Sequence, residues 1–294
     1  MNRFALAPEM GVDLAFPSVA SQSSVGGGLH VNGWPSNQAA APPPGDAGVR
    51  RMWPAITSAV MLVVLAFSAG AAYLYDLSGI RTRACLGSQE HTSQFTADDG
   101  TRLQGVLIGR GPSGVVLAHQ SDQTLCGWLP FARHLAAKGF RVFPVDLPFR
   151  PFQNAGWDRD LEAAVDYLRH AGAASVVLIG ASMGGAAAMV AATEISPPVD
   201  GVVNLSGERR VSGLDADTAV RRSAVPLLII ASHSDRYLNA HEARVLYAES
   251  AASEKQLQVV PGSAHGTAIL DGPEGGSVRD RIIGFVLSHS RPPG

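Results

Sequence analysis

The chain has 294 residues, 46% of them hydrophobic, and a net charge of -2 at pH 7. That is enough apolar side chain for a sizeable core, in one large domain or two small ones. The near-neutral balance excludes the basic character that a nucleic-acid partner calls for.

Glycine and proline, 32 and 19 in all, crowd toward the start of the chain. Residues 1–52 include SQSSVGGGLHVNGWPSNQAAAPPPGDAG, which has no sustained apolar period. Such a stretch cannot bury enough surface to offset chain entropy, and a disordered tail is expected. Met52 is an alternative natural start. Within residues 53–75, the run PAITSAVMLVVLAFSAGAAYLY (54–75) carries no charge. As a helix it would reach roughly 33 Å, against a bilayer core of about 30 Å. Arg50 and Arg51 precede it, and Trp53, Tyr73 and Tyr75 sit where interface residues belong. The run reads as a single transmembrane helix or as a cleaved signal segment, with Ala69-Gly70-Ala71 as a small-residue cleavage site. Arg81 and Arg83 on the far flank balance the first pair. Orientation therefore rests on how close Arg50 and Arg51 lie to the run and on its place near the start of the chain. Both favour residues 76–294 lying outside the cytoplasm, membrane-anchored through residues 54–75 or exported.

Residues 76–91 read as a linker. Cys85 and Cys126 are the two cysteines of the chain. In an oxidising compartment they can pair, closing a loop of about 40 residues; two free thiols are the alternative. Their spacing has no metal-site or C-x-x-C character.

From residue 92 the text alternates regularly, which marks out one domain over 92–294. HTSQFTADD and RLQGVLIGR pair as strands around a turn at Asp98-Asp99-Gly100. Apolar strands follow at 113–120, 140–148, 174–181, 199–207, 224–232 and 255–262. Helical patterns lie between and after them, at 126–139, 157–172, 183–194, 238–251 and 277–289. Unbroken apolar strands alternating with helices predict a mostly parallel sheet covered on both faces. Ligands of such sheets bind at the C-terminal ends of the strands. Residues 208–223, ERRVSGLDADTAVRRS, read as a polar insertion too short for a large lid.

Gly180-Ala181-Ser182-Met183-Gly184 matches G-x-S-x-G between the strand VVLIG and a small-residue helix. A serine nucleophile must project from a sharp strand-to-helix turn, so Gly180 and Gly184 have to be tiny. Serine needs a base, and the base an orienting carboxylate. Asp235 follows the strand at 224–232, and His265 lies in PGSAHG before the last helix. The order Ser182, Asp235, His265 suits this architecture. Glu208, after NLSG, competes with Asp235, and His233 competes with His265. His134, His170 and His241 read as surface histidines, and Asp271 as a solvated acid. The oxyanion hole takes the Met183 N–H and one from the loop after VVLAH, where Gln120 is the candidate. His119 would order that loop without titrating, and Leu125 and Trp128 are either pocket walls or core. No histidine–carboxylate spacing suits a metal, so neither metal nor cofactor is expected.

Over residues 92–290 the chain resembles the α/β-hydrolase family, near its small dienelactone-hydrolase-like and esterase branch. The pieces VVLAHQ, GASMGG, LLIIASHSD and PGSAHG carry the resemblance. It implies a mainly parallel sheet of about eight strands and a nucleophile–acid–histidine triad. Dienelactone hydrolases use cysteine where this chain has Ser182, which argues against a dienelactone substrate. Dehalogenases and epoxide hydrolases place aspartate there, so the resemblance argues against both. Family members often have His-Gly where this chain has His119-Gln120. The expected activity is hydrolysis of a small-molecule carboxylic ester through an acyl-enzyme. The alternatives are an acyltransferase or thioesterase with the same residues, or a non-catalytic binding protein on this fold.

Overall fold

The computed structural model describes residues 84–148 and 156–290. The tail and the apolar run at 54–75 lie outside the described residues. Among the described residues no helix is long and apolar enough to cross a membrane.

Ten strands occur in chain order. They are β1 (Thr92–Thr96), β2 (Arg102–Val106), β3 (Ser113–Ala118), β4 (Arg141–Asp146), β5 (Ser175–Ala181), β6 (Gly201–Leu205), β7 (Arg210–Val211), β8 (Leu214–Asp215), β9 (Leu227–Ser232) and β10 (Lys255–Val260). Eight form one sheet in the order β1-β2-β4-β3-β5-β6-β9-β10. β2 runs antiparallel to both β1 and β4, and every other pairing is parallel. The helices are α1 (Leu129–Ala137), α2 (Trp157–His170), α3 (Met183–Ala191), α4 (Ala216–Arg222), α5 (Ala240–Glu249), α6 (Ala268–Asp271) and α7 (Gly275–Ser288).

Strand side chains alternate between faces, and a strand buried on both faces can be apolar throughout. β5 shows this directly. Val176 and Leu178 join one hydrophobic cluster with α2, α3, α4 and α5. Val177, Ile179 and Ala181 join the other, with α1, α6 and α7. β3, β6 and β9 divide in the same way, with Ile229 on one side and Ile230 on the other. The result is three layers, with the ends of β3, β5, β6 and β9 opening on one edge.

Two segments depart from the sequence expectation. The helix expected from residue 126 begins as a 3-10 turn, Leu125–Trp128, capped by Thr124 Oγ1 on the Cys126 N–H at 3.3 Å. Asp146, at the end of β4, accepts the Leu125 N–H at 2.7 Å and so fixes the turn to the sheet. The polar insertion is not a loop: β7 and β8 form an antiparallel ribbon, and α4 follows. Its polarity is spent internally. Arg209 Nε and Nη2 donate to the two oxygens of the buried Asp217 at 2.7 and 3.0 Å, and Arg210 reaches the same carboxylate at 3.3 Å.

Cys85 and Cys126 form a disulfide with a Cα–Cα distance of 5.9 Å. It fastens residues assigned above to the linker. Cys85 and Leu86 pack against Val106, Leu125 and Leu129, and Glu90 pairs with Arg133 at 2.7 Å. Closing this loop stabilises the fold by about 4 kcal/mol in the chain-entropy model.

Candidate active site

β5 stops at Ala181 because the next residue turns sharply. Ser182 has φ 50° and ψ -121°, a strained conformation for a residue with a side chain. The turn is held by its own backbone, with the Ser182 N–H on the Leu205 carbonyl at 3.0 Å and its carbonyl accepting from Gly185 and Ala186. A Cβ on Gly180 would lie 2.1 Å from the Gly184 oxygen, and one on Gly184 would lie 2.5 Å from the Ala118 oxygen. Both glycines of the motif are therefore steric requirements. Ser182 sits at the head of α3, whose positive end faces the strand edge.

Asp235 ends the turn after β9 and is fully buried. Its Oδ2 lies 2.8 Å from His265 Nδ1, and its Oδ1 accepts the Tyr237 N–H at 2.9 Å. Burial pushes this carboxyl up, but the His265 and Tyr237 hydrogen bonds outweigh it and hold the pKa below the ordinary value. The buried Ser206 hydroxyl acts in the same direction, although it forms no well-aligned hydrogen bond. The Tyr237 ring packs against His265 in a tilted arrangement, centroids 4.6 Å apart, and the Arg236 guanidinium lies 4.7 Å over the tyrosine ring.

Glu208, the competing acid, stands near this pair without hydrogen-bonding to it. Burial raises its pKa, the His265 charge opposes the rise, and Asp235 and Glu242 add to it. The partner of His265 is thus Asp235. His233 is exposed, and its ring Nδ1 lies 3.2 Å from the Ser234 hydroxyl. His134, His170, His241 and Asp271 are exposed, as expected.

The base loop and the elbow are neighbours. A Cβ on Gly266 would lie 3.6 Å from the Cβ of Ala181, so the residue after His265 lies close to the residue before Ser182. Among the described residues no hydrogen bond joins Ser182 to His265. Catalytic hydrogen bonds are often long before substrate arrives.

The two oxyanion candidates lie on neighbouring segments. Met183 is the first residue of α3, where N–H groups lack helical partners. Gln120 lies one residue past His119, and the His119 backbone is packed against Gly184. His119 is buried, and both its ring nitrogens are engaged. Nε2 accepts the Leu147 N–H at 2.9 Å, so the proton sits on Nδ1 and goes to the Gln120 carbonyl at 2.7 Å. Burial, the largest influence, lowers its pKa against the pull of Gln120 and Asp146. It stays neutral and orders the loop. Leu125 and Trp128 are wholly buried, and Trp128 Nε1 donates to the Ala118 carbonyl at 2.9 Å. They are core, not pocket walls.

Sequence reasoning missed three contributors here: Tyr237, Ser206 and the Gln120 side chain. Ser206 had a signal, since it closes β6 at the strand edge where functional groups collect. Tyr237 had none beyond its nearness to Asp235. Among the described residues no group of three or more histidine, cysteine or acidic side chains could hold a metal ion. A cavity of about 350 Å³ lies between β1 and α2, lined by Phe95, Asp98, Arg159, Glu162, Tyr167 and His170, and by none of Ser182, Asp235 and His265.

The profile of the dienelactone hydrolase family matches residues 149–273, a span that holds Ser182, Asp235 and His265. The uncharacterised protein YfhR of Escherichia coli K12 is 27% identical over 242 residues, covering 68% of this chain and 81% of the relative. Among solved structures, the esterase Pf2001 of Pyrococcus furiosus superposes with a TM-score of 0.59 at 18% identity, over 69% of this chain and 92% of that one. The monoacylglycerol lipase of Paleococcus ferrophilus gives 0.55 at 17% identity, over 65% of this chain and all of its own. At such identities these likenesses speak to the fold.

Proposed function

We propose that this chain is an α/β-hydrolase of the dienelactone-hydrolase- and esterase-like kind and that it cleaves carboxylic esters through an acyl-enzyme on Ser182. The observation that carries the proposal is the buried Asp235 hydrogen-bonded to His265, on a loop that lies close to the residue before the strained serine.

In this reading Ser182 Oγ attacks the ester carbonyl while His265 Nε2 takes its proton. Asp235 fixes the proton on Nδ1 and balances the imidazolium that forms. The carbonyl oxygen becomes an oxyanion between the Met183 and Gln120 N–H groups, at the positive end of α3. His265 then returns the proton to the leaving alcohol, and water repeats the sequence on the acyl-enzyme. An acyl acceptor other than water would make the same site a transferase.

The insertion, held by Asp217, is short, which favours small or flexible esters over a large capped substrate. The Cys85–Cys126 disulfide favours an oxidising compartment. It thereby supports a domain outside the cytoplasm, anchored or exported through residues 54–75. The test is covalent labelling of the purified chain with a fluorophosphonate, followed by peptide mapping. A single adduct on Ser182, absent in His265→Ala, is the expected result. Folded protein that takes up no label would overturn the hydrolase reading in favour of a binding role.

A further inference from the structure

We infer that the Gln120 side chain is a positioning residue that sets the spacing between the oxyanion loop and the histidine loop. The inference rests on the proposed triad, but it concerns a group the triad does not use. The reaction needs only the backbone N–H of residue 120; the side chain points elsewhere and is almost wholly buried.

Its amide oxygen accepts the Thr267 N–H at 3.0 Å and lies 3.3 Å from Thr267 Oγ1. Its amide nitrogen donates to Asp122 Oδ1 at 2.9 Å. The Thr267 hydroxyl also lies 3.1 Å from Gln123 Oε1. Having one hydrogen, it serves Gln120 or Gln123 at any moment. One side chain thus joins the loop after β3 to the loop after β10, across 147 positions of sequence.

Gly266 completes the unit. It lies between His265 and Thr267 with φ 55°, and a Cβ there would sit 2.1 Å from Gln120 Oε1. The glutamine oxygen occupies the space a side chain at 266 would need. A glycine at position 120, as in a His-Gly pair, would leave this space empty and the Thr267 N–H without its acceptor. Gln120 is therefore a strut with two ends: one is the oxyanion donor on its own backbone, and the other is the residue pair following the base. Such a link acts on the rate, because a misplacement of about 1 Å between donor and base can cost roughly 100-fold.

The test compares Gln120→Ala, Thr267→Val and their double variant in the full chain, with kcat and KM on p-nitrophenyl acetate and the fluorophosphonate labelling rate. Thermal melting reports the folded fraction. Gln120→Ala is expected to lower kcat and the labelling rate by about 10-fold or more while KM changes little. Thr267→Val should do less, since the backbone N–H still reaches Gln120. The double variant should be no worse than Gln120→Ala, because both changes break one link. Thr267→Ser, which keeps both donors, should behave as wild type, and with Thr267→Val it tests the strut should Gln120→Ala fail to fold. A folded Gln120→Ala protein with unchanged kcat would overturn the inference, as would single effects that multiply in the double variant. Wild-type protein that takes no label at Ser182 would instead overturn the hydrolase reading itself.

Discussion

At Asp235 the His265 ring nitrogen and the Tyr237 N–H converge on one buried carboxylate, while Glu208 stands nearby without a bond to the histidine. Asp235→Asn should lower kcat by about 10⁴-fold, the size expected when the histidine is left in the wrong tautomer. Glu208→Gln should change kcat little; the opposite pattern would move the orienting role to Glu208. The depressed pKa of Asp235 also has a stability consequence. Its contribution is fully present above the unfolded carboxylate pKa of about 3.9 and is lost as the pH falls through the lower folded value. The gap in melting temperature between wild type and Asp235→Asn should therefore narrow as the pH drops from 5 to about 2. Ser182, Asp235 and His265 were legible because each follows an apolar strand. The Gln120 strut was not. Its partners lie in a loop joined to it only by the sheet order, and a glutamine has no local preference that would disclose them.

Among the elements, the elbow and the insertion carry the clearest consequences. Gly184→Ala would drive a methyl group into the Ala118 and His119 carbonyls and should abolish activity. Near-UV dichroism would separate a shifted elbow from general unfolding. Asp217→Asn should destabilise the protein by about 1–3 kcal/mol, since two arginines lose their shared buried charge. Urea unfolding would measure it. The strands β3, β4, β5, β6 and β9 could be read from apolar runs with flanking turns, because burial on both faces leaves that signature, and β1 and β2 from the turn between them. The ribbon β7–β8 and helix α4 could not. Their residues are polar for the sake of ion pairs with one another, and a segment that satisfies its charges internally looks like a solvated loop. The short helix α6 and the 3-10 turn before α1 are each a single turn, too brief for a period to register.

For the whole molecule, the disulfide sets the margin of stability. Reducing it, or replacing Cys85 and Cys126 by serine, should lower the unfolding free energy by about 4 kcal/mol without changing the folded site. Urea unfolding with and without reductant checks this. A loss much smaller than that would mean residues 84–91 are held by their packing and the Glu90–Arg133 pair instead.

The same bond changes how the domain bears a mechanical load. Among the described residues β1 is an edge strand, paired only with β2, and it is the first strand. Pulled from its leading end, such a strand would unzip one residue at a time. Here β1 and β2 lie inside the covalent loop, so a pull arriving from upstream passes through sulfur to Cys126. From there it reaches the turn that Asp146 pins to β4, and the edge hairpin hangs slack. Force applied upstream of Cys85 would be resisted by the centre of the sheet.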